Sequence, residues 1–300
     1  MRVGILNDLP VAGTVTSGTG SGAELTIGRF VAEGVRRGHG VDVVTPDFCS
    51  DRILEQYDLL VTKNVTAFSR EHLALVMRQR FVAWPSDYAW TRWRLFFSFQ
   101  EEQRRLSCIP FWNEFFTKSL FNVFLSPLHE EAYRWALPSV KDHPAFLSPP
   151  PIDEAAFRPN PDGWIPNTAC TINGGLPFKG LKPNLSWAYA HPEVQFSFIG
   201  SMRDNVQLPP NARFVGYLPF DKLCDMLSRT ETYVELPDTV QPFNQTSCQG
   251  LLACKRIETN ENLGAASWPW FQKGERALAR QVLRDALPDL WSCLEKEAAV

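Results

Sequence analysis

Twice along this chain, short apolar runs alternate with segments of helical spacing, and this alternation limits the fold more than any other feature. The opening RVGIL reads as a strand, the Gly/Ser/Thr-rich GTVTSGTGSGAE as a loop, and LTIGRFVAEGVRRG as a helix. GHGVDVVTPD then supplies a turn and a second strand, YDLLVTKN a third after the DRILEQ segment, RFVAWPSD a fourth and NVFLSP a fifth. Strands separated in this way pair in parallel, and the expected fold is α/β with a doubly wound sheet. Ligands of such sheets gather at the carboxyl ends of the strands.

The proline cluster FLSPPPIDEAAFRPNPDGWIPN can continue neither a helix nor a central strand, so it is expected to be an interdomain linker. The alternation then resumes, with strands at TACTINGG, VQFSFIGS, RFVGYL and TYVELPD and helices at LKPNLSWAYAHP, FDKLCDMLSRT and after Gln241. The tail GERALARQVLRDALPDLWSCLEKEAAV has helical spacing that Pro288 is expected to break. The expected organisation is a Rossmann-like domain over residues 1–147, a second over 148–270, and a tail over 271–300 that packs back on the first.

With 300 residues, 44% of them hydrophobic, the chain can bury two cores. A net charge of −3 gives no global basic field, so nucleic acid would have to meet a local patch. Seven cysteines without a C-x-x-C pair point to reduced thiols in a cytoplasmic setting. The first apolar run is too short for a signal core, and no run reaches the length of a membrane span. His72, His129, His143 and His191 have no metal-ligand spacing, and His39 is expected to be structural. Glu101 and Glu102 beside Arg104 and Arg105 read as a solvated helix face.

Three stretches carry candidate chemistry. In GTGSGAE, Gly20 and Gly22 precede a helix start, where close backbone approach and unpaired N–H groups suit a phosphate; the spacing is neither a dinucleotide fingerprint nor a P-loop. In NGGLPFKG, Gly175 follows a strand and Lys179 is placed to reach a phosphate as a point charge; Gly200 closes the next strand. In QPFNQTSCQGLLAC, Thr246-x-x-Gln249 matches a capping box, whereas Gln241 has no such local duty. The backbone from Phe243 through Asn244, Gln245 and Thr246 would face an occupant of the helix start, for which a diphosphate is suited.

The order of these pieces resembles the retaining GT-B glycosyltransferases that carry an E-x7-E motif. GSGAE is similar to the family's first glycine loop, RRGHGVDVVT to its "GH-x-V" turn, and PPPIDEAAFRP to its interdomain "P-x-G-V-D-x-x-x-F-x-P". GGLPFKG then matches the segment bearing the donor-binding lysine, FVGYLPFDKL the "F-x-G-x-x-x-x-x-x-L" segment, and QPFNQTSCQGLLA the "E-P-F-G-x-x-x-x-E-A-x-A" motif. The resemblance implies two Rossmann-like domains facing a cleft, a UDP- or GDP-sugar donor held mainly by the second, and glycosyl transfer with retention and no obligatory metal. Gln241 and Gln249 stand where the family has glutamates, and Gly175 where it has an arginine. Glutamine still accepts through its carbonyl oxygen while adding two donors, but negative charge and one diphosphate neutraliser are lost. The family's histidine near the fourth strand is absent from AWPSDYAW; Asp87 is the candidate polar group there, with a helix N-cap as its alternative.

The acceptor falls to the first domain, where AWPSDYAWTRWRLFFSFQEEQRRL mixes Trp84, Trp90 and Trp93 with Arg92, Arg94, Arg104 and Arg105. Such a segment either packs a core or stacks bases and holds phosphates. A saccharide or lipid-linked acceptor is expected first. A viral-type DNA transferase acting on hydroxymethylated bases, and a non-catalytic sugar-nucleotide or glycan binding module, are the alternatives.

Overall fold

The computed structural model describes residues 1–8, 22–91, 96, 99 and 109–299. The first sheet holds β1 (Arg2–Asn7), β2 (Gly40–Val44), β3 (Leu59–Asn64), β4 (Phe81–Ala83), β5 (Asn122–Phe124) and β6 (Ala145–Leu147). It is parallel throughout, in the order β2-β1-β3-β4-β5-β6. Its helices are α1 (Gly22–Arg36), α2 (Asp51–Leu54), α3 (Arg70–Val76), α4 (Ile109–Lys118) and α5 (Pro127–Ala136). The second sheet holds β7 (Ile165–Ile172), β8 (Gln195–Ile199), β9 (Ala212–Gly216), β10 (Thr230–Glu235) and β11 (Arg256–Thr259), also parallel, in the order β11-β10-β7-β8-β9. Around it run α6 (Leu181–Ala190), α7 (Phe220–Arg229), α8 (Gln245–Ala253) and α9 (Pro269–Gln272), and α10 (Arg276–Ala298) ends the chain.

Two compact units result. One divides from the other at Pro151/Ile152 and again inside α10 at Arg284/Asp285, with Phe96 counted in the second. The chain winds outward in both directions from β1 in the first sheet and from β7 in the second. The switch points, where ligands bind doubly wound sheets, are therefore β1/β3 and β7/β10.

In the first unit the end of α10 completes the core. Trp291 is fully buried, stacks on Phe30 of α1 at 4.6 Å between ring centroids, and donates its indole N–H to the Phe30 carbonyl at 3.1 Å. Gly34 makes this possible, because a Cβ there would lie 2.3 Å from the Trp291 ring. His39 is structural, stacked on Trp291 and 2.7 Å from Glu295. Trp291→Ala is expected to cost about 3–5 kcal/mol, read as a lower denaturant midpoint.

Three expectations need correction. The segment FLS within the proline cluster is not linker, since Phe146 and Leu147 form edge strand β6 beside β5; the prolines begin only after it. β7 begins at Ile165, inside the same cluster. Pro288 does not break α10, because Leu287, Leu290, Trp291 and Leu294 bury one continuous face and outweigh the single hydrogen bond lost. No described helix is long and apolar enough to cross a membrane.

Candidate functional site

The second unit brings its two sequence candidates together at the β7/β10 switch point. After β7, Asn173 adopts φ 59°, a short turn carries Lys179, and Gly180 enters α6 at φ 89°. Gly180 tolerates no side chain, since a Cβ would lie 1.8 Å from the Leu236 carbonyl oxygen just beyond β10. The loops after β7 and β10 thus touch through backbone. Fully buried Asn184 staples them, donating to the Gly174 carbonyl at 3.3 Å and accepting from the Leu236 amide at 3.3 Å. Lys179 Nζ donates to Gln241 Oε1 at 2.6 Å.

Gln241 does have local duties, contrary to the expectation from sequence. Its amide nitrogen donates to the Thr239 hydroxyl at 2.6 Å and toward the Phe178 carbonyl at 3.4 Å, while its oxygen receives Lys179. A glutamate would place acceptors against those two oxygens, so the neighbours call for an amide. The loop is held from below as well: Gln241 N donates to Asn262 O at 2.7 Å and Gly264 N to Gln241 O at 3.0 Å.

The capping box is also corrected. The N-cap of α8 is Asn244, at φ 74°, whose Oδ1 accepts from the Thr246 amide at 3.1 Å. Gln249 therefore lies beyond the capping position, and its buried Oε1 has no hydrogen-bond partner among the described residues. The Thr246 amide is spent on the cap, and Gln245 opens the helix. Phe243 is 1% exposed, with its carbonyl accepting from Ala265 N, which makes it an anchor of the loop. Gly250 seats α8 on β10, because a Cβ there would lie 2.3 Å from the Tyr233 ring.

Sequence reasoning missed Glu235, the last residue of β10. It is fully buried and receives Asn244 Nδ2 at 2.9 Å. Burial pushes its pKa up to about 7, against the pull of Lys179, Tyr233 and Asn244. Tyr233 has one hydroxyl hydrogen but lies 2.7 Å from Glu235 Oε2 and 3.0 Å from Thr246 Oγ1, and the Thr246 hydroxyl donates to Asn244 Oδ1 at 2.6 Å. With Glu235 protonated the four side chains close a ring in which every carboxyl and hydroxyl hydrogen is used: Glu235 to Tyr233, Tyr233 to Thr246, Thr246 to Asn244, and Asn244 back to Glu235. As a carboxylate, Glu235 takes the Tyr233 hydrogen and leaves the Tyr233–Thr246 contact without one. The signal in the sequence was a carboxylate ending the apolar run TYVE.

Gly175 carries no arginine for a steric reason. It bridges Met202, and a Cβ would sit 2.8 Å from Ser201 O and 2.9 Å from Met202 Cα. Gly200, at φ 88°, turns the chain after β8. Lys179 thus places an ammonium beside this loop, with Gln241 Oε1 among its partners. Such a point accommodates an anionic group next to a helix start.

In the first unit, Gly22 opens α1, while Gly20 lies outside the described residues. Trp84 and Trp90 are buried at 0% and 1% exposure and belong to the core. Trp93, Arg92, Arg94, Glu101, Glu102, Arg104 and Arg105 lie outside the described residues. Asp87 begins no described helix; its backbone carbonyl accepts from Tyr133 OH at 2.8 Å.

Solved structures align over almost the whole chain. Sucrose-phosphate synthase from Thermosynechococcus elongatus is 11% identical, with 99% of each chain covered and a TM-score of 0.70. HepE from Anabaena, solved with UDP-glucose, is 14% identical, with 99% of this chain and 100% of that one covered and a TM-score of 0.64. The fold is GT-B. An α-glucosyltransferase solved with UDP and a 13-mer DNA containing an HMU base is 13% identical, covering 97% of this chain and 95% of that one at a TM-score of 0.53. No family model and no curated protein sequence matches the chain.

Proposed function

We propose that this protein is a glycosyltransferase that moves a sugar from a nucleoside diphosphate sugar to an acceptor hydroxyl with retention of configuration. The observation that carries the reading is the 2.6 Å Lys179–Gln241 contact at the β7/β10 switch point, beside the start of α8. There Lys179 offsets the charge that grows on the departing diphosphate as the sugar becomes oxocarbenium-like. Gln249, with a buried oxygen lacking a described partner, is suited to accept from a donor hydroxyl. UDP- and UDP-glucose-bound HepE shares the fold and supports a uridine nucleotide as the first donor to try.

Incubation with UDP- and GDP-sugars and a saccharide panel should release nucleoside diphosphate, and should do so undiminished in EDTA, because an ammonium takes the place a metal would fill. Nucleotide binding without turnover across the panel would leave a binding module instead. Gln241→Glu is expected to weaken donor binding about tenfold, since the new carboxylate would neutralise Lys179 and face the Phe178 carbonyl. Unchanged or tighter binding in that variant would contradict the role given to the amide.

A DNA acceptor is the second reading, favoured by the DNA-bound α-glucosyltransferase of the same fold. Labelled sugar appearing on hydroxymethylated DNA, with strong salt dependence, would establish it.

A further inference from the structure

Residues 83–106 stand out in the sequence for their aromatic and arginine content, and the proposed reaction gives them no task. Trp84 and Trp90 are spent on the core. Phe96 is different. It is 0% exposed, and it belongs to the second unit although it lies between β4 and α4 of the first. By Phe99, whose ring meets Trp135 of α5 at 5.8 Å between centroids, the chain is counted in the first unit again.

What Phe96 reaches within the second unit is the loop of Gln241. Its carbonyl accepts from the Val240 amide at 2.7 Å in an antiparallel bridge. On the opposite side Gln241 pairs in parallel with Leu263 and donates its amide to Asn262 O at 2.7 Å. Val240 is 3% exposed, and a buried amide deprived of its acceptor is costly. Fully buried Thr239 donates its hydroxyl to the Phe178 carbonyl at 3.1 Å, and Gln241 receives Lys179 at 2.6 Å. Residues 239–241 thus hold the Lys179 turn by their side chains, while Phe96 and Asn262 hold their backbone.

We infer that Phe96 is a positioning residue for the anion site: by fixing Val240 it sets Gln241, and through Gln241 the ammonium of Lys179. Gln241 has to present its oxygen to Lys179 and its nitrogen to Thr239 Oγ1 at once, which leaves little tolerance for a shift of the backbone beside it. The buried ring of Phe96 keeps the accepting carbonyl in place. By linkage, a ligand held by the Lys179–Gln241 pair in turn favours the Val240–Phe96 bond. That this ligand is a nucleoside diphosphate rests on the glycosyltransferase reading; that Phe96 braces Val240 and Gln241 does not.

The test uses the full chain as wild type, Phe96→Ala, Phe96→Leu, Gln241→Ala and the Phe96→Ala/Gln241→Ala double variant. Amide hydrogen exchange without ligand compares Val240 with Tyr233, a buried residue of β10. In Phe96→Ala, Val240 is expected to exchange at least about tenfold faster relative to Tyr233, and in Phe96→Leu, which keeps an apolar anchor, to stay within about threefold of wild type. UDP affinity is expected to fall about tenfold in Phe96→Ala and to recover in Phe96→Leu. Adding Phe96→Ala to Gln241→Ala should change it less than about twofold, because the effect runs through Gln241. Wild type alone carries a further arm that needs no folded variant: saturating UDP should slow Val240 exchange at least about threefold. Equal exchange ratios in wild type and Phe96→Ala would overturn the brace, and a full Phe96→Ala effect in the Gln241→Ala background would overturn the route through Gln241. Val240 exchange unmoved by bound UDP would overturn the coupling. Absence of UDP binding by folded wild type, with the exchange difference present, would uphold the brace and count against the donor reading alone.

Discussion

Transfer from a nucleoside diphosphate sugar is expected to fall by about 10²–10³-fold in kcat/KM when Lys179 is replaced by alanine. The size of the effect follows from where this ammonium sits, 2.6 Å from Gln241 in the loop that leads into α8. Gly175 has no room for a side chain, and the Thr246 amide is already capped by Asn244. The lysine is also fixed in place: Gly180 in a left-handed conformation, the Asn184 staple and the Gln241 acceptor leave its stem little freedom. Lys179→Arg should restore only a small part of the loss, because a planar guanidinium is longer than the 2.6 Å hydrogen bond to Gln241 Oε1 allows for. A loss smaller than fivefold in the alanine variant would show that the diphosphate is neutralised elsewhere.

The second large effect concerns Glu235. A carboxyl whose folded pKa is raised from 4.5 to about 7 contributes stability that is fully present below pH 4.5 and is lost as pH rises toward 7. The loss amounts to about 3 kcal/mol, because each pKa unit is worth about 1.4 kcal/mol. Glu235→Gln should therefore be more stable than wild type at pH 8 and similar at pH 4.5, as seen in denaturant midpoints. The glutamine amide reproduces the neutral acid: its nitrogen donates to Tyr233 and its oxygen accepts from Asn244. Donor KM should rise above pH 7 in wild type, as the Asn244 cap loosens and a new charge offsets Lys179, and should stay flat in the variant. Lys179 from the turn before α6, Tyr233 on β10 and Cys170 on β7 are the ionisable groups around this ring, and Lys179 is the cation among them. A parallel rise in KM in both proteins would assign the titration to another group, and Glu235→Leu, which cannot hold Asn244, should weaken donor binding at every pH.

Much of this site was legible in the sequence, because strand periodicity and glycine punctuation are local. RVGIL, YDLLVTKN and TYVE announced β1, β3 and β10, and the order of NGGLPFKG and QPFNQTSCQGLLAC placed Lys179 and Gln241 after neighbouring strands. Other features depend on tertiary contact and leave little local trace. Asn244 caps α8 in a positive-φ conformation that a Thr-x-x-Gln pattern conceals. Gln241 looked idle because two of its partners, Phe178 and Lys179, lie far back in the chain. β6 and β11 are three- and four-residue edge strands, one bordered by prolines and the other half charged, so neither carries an alternating apolar signal. Pro288 sits inside α10 because a buried face of leucines and Trp291 decides the matter. Gly175 shows the reverse case, where a residue that read as a missing function turned out to be a steric requirement.

Calorimetric titration of UDP into wild type and Lys179→Ala at pH 6.5 and fixed ionic strength tests the central claim most directly, that one ammonium beside the start of α8 grips a diphosphate. The account predicts one site per chain, weakened at least tenfold by the substitution. Equal affinity in the two proteins, or no UDP binding by folded wild type, would contradict it.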